Sequence, residues 1–265
     1  MSITMIPFTD DPARNFVLKP LQVLSLGAGV QSVAMLIMVE LGLLDKPDII
    51  IHSNTGSEMP HTVELLETTL IPYITDVLKI PYIEASSFRG ALHDDYHSKS
   101  AIPMIGMRSC TLNFKVMPVR REIRKIVGNQ RGKVLAIAWL GITTDESKRE
   151  LKSEMKWIQN KFPLLEADMS RNDCLQLIAA KGWTVEKSGC WLCPYMGVKG
   201  FLSLKKNHPD LFAKAVEMEA AMRAKRPQRK QGFLSNNGTW LADADWPTIE
   251  LKYSSCDDPT GGCFL

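Results

Sequence analysis

The stretch Leu21 to Met38, LQVLSLGAGVQSVAMLIM, constrains what this chain can fold into more than any other. An apolar run (Leu21, Val23, Leu24, Leu26) breaks into Gly27-Ala28-Gly29 and then into an apolar, helix-like segment from Val30 to Leu44. A strand, a tight glycine turn and a helix N-terminus in that order make an anion site. The turn lets backbone N–H groups approach a ligand, and the helix end adds partial positive charge. Gln31 and Ser32 fall in the first helical turn, where a side chain can add a hydrogen bond to a phosphate oxygen. A turn built for helix–strand packing alone is the competing explanation.

The rest of the chain extends the alternation. Strands are expected at 21–26, 48–53, about 81–85 and 133–141, with helices at 30–43, 60–77 and 114–127. Pro118 allows the last of these to start only at that residue. Alternating strands and helices imply an α/β fold, a parallel twisted sheet covered on both faces. After Thr143 the pattern changes, and 145–165 reads as polar and irregular, with Trp157, Phe162 and Leu164-Leu165 as anchors. Ser170 is a helix N-cap with Asp173 at the third position, and that helix should stop at Gly182. Asn207 to Lys225 reads as a further helix, and Gln228 to Leu265 has no clear period. The expected division is an extension over 1–19, a nucleotide-binding core over 20–145 and a C-terminal portion over 146–265. The last would pack over the carboxyl edge of the sheet.

Composition narrows the class. Apolar residues make up 45% and charged residues 23% of 265, as in a soluble globular protein. No segment approaches the ~20 apolar residues of a membrane span. Met1 to Lys19 has no apolar signal core, so a cytoplasmic location is expected. Six cysteines in a reducing compartment point to metal or redox chemistry rather than a disulfide framework. The net charge of +3 is unevenly spread. Arg108 to Arg131 holds seven basic residues against one acid, Glu122, and Arg223 to Lys230 holds five in eight. Such runs are either solvated faces or contacts to phosphates of a nucleotide or nucleic acid.

Several motifs recur in order: the glycine turn, Ser53-Asn54-Thr55-Gly56 with Glu58, Arg108-x-Cys110-Thr111 with Lys115, Gly141-Ile142 followed by Asp145-Glu146 and Arg149, Ser170-Arg171-x-Asp173-Cys174, and Cys190-x-x-Cys193-Pro194. Together they resemble the PP-loop ATP pyrophosphatase superfamily, in the branch of phosphoadenosine phosphosulfate (PAPS) reductase and its bacterial and phage relatives. The resemblance runs from about Leu21 to the C-terminus. It implies an adenine nucleotide, ATP with Mg²⁺, held by Ser25, Gly27, Gly29, Gln31, Ser32, Asn54, Thr55, Gly56, Lys115 and Arg149. The superfamily loop is Ser-Gly-Gly-x-Asp-Ser; here Gln31 stands where its Asp would be. Glu146 would hold magnesium and Arg149 a phosphate oxygen.

The resemblance also places Cys110, Cys190 and Cys193 as ligands of a metal centre. Iron–sulfur reductases of the group carry a paired cysteine where this chain has Ser109-Cys110, so three thiolates remain for a [4Fe-4S] cluster. Zinc completed by Cys256 or Cys263 is the alternative. The tail, with Cys256 and with Cys263 between glycine and phenylalanine, resembles the reductases' catalytic cysteine tail, but the Glu-Cys-Gly-x-His motif is absent. Cys174, inside a helical pattern, reads as a buried apolar residue. Three functions stay open: adenylation of an acceptor for sulfur transfer, with a nucleic-acid base as acceptor and a separate sulfur donor; sulfonucleotide reduction by a tail cysteine with a thioredoxin-like reductant; and nucleotide or nucleic-acid binding without turnover.

Overall fold

The computed structural model describes residues 19–129, 132–149, 153, 155–230, 232–233 and 239–254. Cys256 and Cys263 lie outside them, and Arg149 is described by its backbone alone. Five strands form one parallel sheet: β1 (Leu21–Leu26), β2 (Ile49–Asn54), β3 (Tyr82–Ser86), β4 (Ala136–Trp139) and β5 (Ile158–Lys161), in the order β3-β2-β1-β4-β5. The order reverses between β1 and β4. In open α/β sheets the crevice beyond the carboxyl ends at such a reversal is where ligands bind.

The helices are α1 (Val30–Glu40), α2 (Pro60–Leu65), α3 (Leu92–Ser98), α4 (Ser109–Thr111), α5 (Met117–Val127), α6 (Pro163–Glu166), α7 (Arg171–Ala180), α8 (Gly197–Asn207), α9 (Pro209–Lys225) and α10 (Trp246–Ser254). On one sheet face α1 is buried almost all round, from Val33 to Met38, between the sheet and α7. On the other face Ile123 of α5 packs against Val23, Ile49, Ile51, Ala136 and Ala138. Both faces are thus covered, as the apolar strands require.

Several elements differ from the sequence expectations. Strand β5 lies inside the segment read as irregular; it is four residues long and pairs with β4 alone, too short for a periodic signal. It carries the sheet past residue 145. The helix expected from 114 instead begins at Ser109, with wide turns over Leu112–Val116. Pro118 has no N–H for the Phe114 carbonyl, and the Ser53 hydroxyl donates to that carbonyl at 2.6 Å instead. The helix expected over Asn207 to Lys225 is α9, starting two residues later at Pro209; the helix before it, α8, lies outside the sequence expectations and is separated from it by a break at His208.

The start of α7 follows the sequence rule: Ser170 Oγ accepts from Asp173 N at 3.2 Å, and Asp173 Oδ2 accepts from Ser170 N at 2.8 Å. Ser170→Ala should therefore lower the unfolding free energy by about 1 kcal/mol, read as a shifted denaturation midpoint at constant slope.

Past Pro194 the chain builds a second core. Trp191, Leu192, Phe201, Leu204, Met218, Phe233 and Trp240 cluster there with Leu92 and Phe114. The segment carrying the two nearby cysteines is tied to the carboxyl end of β2. Met59 N donates to Gly189 O, and Trp191 N to Ser57 O, at 2.9 and 3.0 Å. No helix among the described residues is long and apolar enough to cross a membrane.

Candidate functional site

At the carboxyl edge the backbone turns sharply after Leu26. The left-handed residue is Ala28 (φ 51), not a glycine, at a cost of about 1 kcal/mol. Gly29 has an ordinary φ of −105, but its missing side chain matters: a Cβ there would lie 2.6 Å from Ser188 Oγ. His52, paired in register with Leu26, turns its Nδ1 to the Leu26 carbonyl at 2.9 Å and so fixes the end of β1. Burial lowers the pKa of His52 from its ordinary value, which makes it a neutral donor.

The turn, the first turn of α1 and the loop after β4 line a cavity of about 350 Å³. Ser25, Gly27, Gly29, Gln31, Ser32 and Gly141 line it together with Glu146, Arg171, Lys187 and Ser188. Two cationic side chains face one carboxylate, which suits phosphate. Ser32 is partly committed: its hydroxyl donates to Gly29 O at 3.1 Å and accepts from Gly29 N at 3.2 Å. Asp145 accepts from Arg171 N at 2.5 Å, so it caps α7 and leaves Glu146 as the acid of the cavity. Arg171, Lys187 and Ser188 were not singled out as ligand contacts in the sequence. Arg171 reads there as a helix start, and the other two lie more than 150 residues from the glycine turn.

A second cavity, about 550 Å³, adjoins the first. Cys110, Cys190 and Cys193 all line it, with Thr55, Lys115 and Arg108, and its wall includes the same Glu146, Lys187 and Ser188. Lys115 sits with the cysteines and also lines, with Ser25, Gly27 and Glu58, a third cavity of about 230 Å³. Its ammonium lies 4.0 Å from Glu58 Oε1. Burial would lower its pKa, but Glu58 and the three sulfurs outweigh that and raise it. Thr55 Oγ1 donates to Glu58 Oε1 at 2.9 Å and lies 3.2 Å from Cys190 Sγ. Burial first, then the Glu58 charge, pushes the Cys190 thiol up to about 12. Burial also raises Cys193. Asn54 and Gly56 close the turn after β2 instead of lining either cavity. Asn54 Oδ1 accepts from Gly56 N at 2.7 Å, and Gly56 has φ +68.

Among the described residues no three His, Cys, Asp or Glu side chains are grouped so as to hold one metal ion. Three sulfurs on one cavity wall suit in donor chemistry a cluster, whose cysteines bind different irons. Cys174 is fully buried, away from both cavities, and burial raises its thiol to about 11.

No protein-family model and no curated protein sequence matches the chain. Among solved structures, it is similar to a phosphoadenylyl-sulfate reductase from Candida auris in a phosphate complex. Identity is 14%, over 66% of this chain and 83% of that one, with a TM-score of 0.47. It is also similar to a U34-tRNA thiolase from Methanococcus maripaludis with its [4Fe-4S] cluster. Identity there is 16%, over 89% of this chain and 82% of that one, with a TM-score of 0.41. In this chain the parallel sheet reverses beside the glycine turn.

Proposed function

We propose that this protein binds ATP with its phosphates on the glycine turn and adenylates an acceptor for sulfur transfer, releasing pyrophosphate. The observation that carries the reading is the shared wall. Glu146, Lys187 and Ser188 line both the phosphate-type cavity and the thiol-lined one. A nucleotide on the turn would present its reactive phosphate where an acceptor from the second cavity can reach it. Proximity of that kind is the largest contribution a preformed site can make without new chemistry.

Each residue then has a role. Backbone N–H groups of the turn and the N-terminus of α1 bind phosphate oxygens. Arg171 and Lys187 neutralise charge that develops on the leaving pyrophosphate. Glu146 would be the carboxylate that holds magnesium, which needs only one or two when phosphates supply the rest. The missing acid at Gln31 leaves phosphate binding by backbone intact. Arg149 falls beside Glu146 in sequence and would reach the same phosphates. Cys110, Cys190 and Cys193 would hold three corners of a [4Fe-4S] cluster, which would supply an open iron for sulfur. Cys256 or Cys263 would be the further thiol, delivered from the tail.

Incubation with labelled ATP and total nucleic acid should release pyrophosphate and yield sulfur-bearing nucleosides. Anaerobic purification should yield iron and sulfide that Cys190→Ala loses. Thioredoxin-dependent sulfite release from a sulfonucleotide would instead establish the reductase reading, and tight ATP binding without turnover the binding one.

A further inference from the structure

We propose that the mouth of the cysteine-lined cavity docks single-stranded nucleic acid. Its backbone would cross the basic end of α9, and an unpaired base would enter beside Tyr195. This rests on the sulfur-transfer reading above and specifies the acceptor's form.

The fold treats the two basic runs differently. In the first, Arg121 donates to the Ser86 carbonyl and Arg124 stacks on the Trp157 ring at 3.6 Å. Lys125 pairs with Glu122 at 2.9 Å. Those three charges are spent on packing, whereas Arg108 and Lys115 of the same run line the cavity. The second run reaches the cavity's edge through Arg229. Lys225 Nζ donates to Lys99 O at 3.4 Å, and Arg229 Nη1 lies 3.5 Å from Met104 Sδ, an atom of a cavity-lining residue. Arg223 is paired with Asp243 at 2.8 Å and is discounted. Arg108, Arg226 and Arg229 have no carboxylate at ion-pair distance among the described residues, and Arg108 and Arg229 are exposed.

Beside these cations lies an apolar rim. Met104 and Met107 close a turn, and Gly106 N donates to Tyr195 Oη at 3.2 Å. Tyr195 keeps 49% and Met107 56% of their surface exposed. A ring anchored by its hydroxyl but open on its face suits base stacking, and the nearby guanidinium groups suit phosphates. An acidic peptide would use the charges but not the ring. A duplex would keep its bases stacked and paired, away from the cavity.

The test is fluorescence anisotropy with labelled single-stranded RNA and DNA, the matching duplexes, and poly-glutamate. Single strands should bind, with affinity falling as salt rises. The double variant Arg226→Glu with Arg229→Glu should weaken binding more than tenfold. It should also flatten the salt slope by about 1.4, about 0.7 per lost phosphate contact. Tyr195→Ala should weaken binding about tenfold and leave the slope unchanged. Lys46→Glu with Lys156→Glu, at the opposite edge of the sheet, should change nothing. Absence of binding, equal binding of duplex or poly-glutamate, or an equal loss in the Lys46 and Lys156 control would overturn the proposal. ATP binding by dialysis is measured on the same samples. Its failure in the wild type would strike the nucleotide reading alone, whereas intact ATP binding without strand binding would strike this one alone.

Discussion

Replacing Gly141 by alanine should weaken ATP binding at least about tenfold while the sheet stays folded. A Cβ at this position would lie 2.9 Å from Gln31 Cβ, 3.3 Å from the Gln31 carbonyl carbon and 3.3 Å from Met35 Cε. Two of those atoms belong to the first turn of α1, which cannot retreat because Val33 to Met38 are buried behind it. The helix N-terminus must shift or the β4 loop must swing out, and either change misaligns the phosphate cavity. Overpacking of this kind costs about 1–3 kcal/mol. Calorimetric titration with ATP, beside a urea denaturation curve, separates the two effects. Gly27→Ala is the contrast, since a Cβ there meets no atom within 4 Å and should leave stability unchanged. Wild-type ATP affinity in Gly141→Ala would show that the ligand does not use this cavity.

Much of that geometry was legible in the sequence. The apolar run, glycine turn and apolar helix placed the first βα unit, because each link is local and has its own signal. The same holds for the cap of α7 at Ser170. What could not be read depends on contacts far apart in the chain. Strand β5 is short and owes its state to pairing with β4. The start of the helix before Pro118 depends on Ser53, 61 residues away, taking the carbonyl that proline leaves open. The left-handed residue of the turn is Ala28, and no local signal marks an alanine between two glycines for that conformation. In the site the same division holds. Ser25, Gly27, Gly29, Gln31 and Ser32 lie together as a local motif must, and the three cysteines share a cavity although 80 residues separate Cys110 from Cys190. Lys187 and Ser188 became visible only once the 187–191 segment was seen pairing with the turn after β2.

Glu219 should be the largest single contributor to the stability of the second core. It is 2% exposed, and its two oxygens accept from Phe233 N at 2.5 Å and Leu241 N at 2.6 Å, fastening both residues to α9. Glu219→Ala would leave two buried N–H groups without acceptors, at a cost of about 1–3 kcal/mol each. Glu219→Gln keeps one acceptor but points an NH₂ group at the other donor, so it should cost nearly as much as one lost bond. Burial, the dominant influence, holds the Glu219 carboxyl above its ordinary value of 4.5 in the folded protein. The unfolded chain therefore releases this proton first as pH rises. The group's favourable contribution is complete below the ordinary carboxylate range and declines as pH climbs through the raised folded-state value. Glu219→Gln should abolish that decline. Urea midpoints measured from about pH 4 to 7 test it: the difference between wild type and variant should narrow as pH rises, and parallel profiles would show that the carboxyl does not titrate on folding.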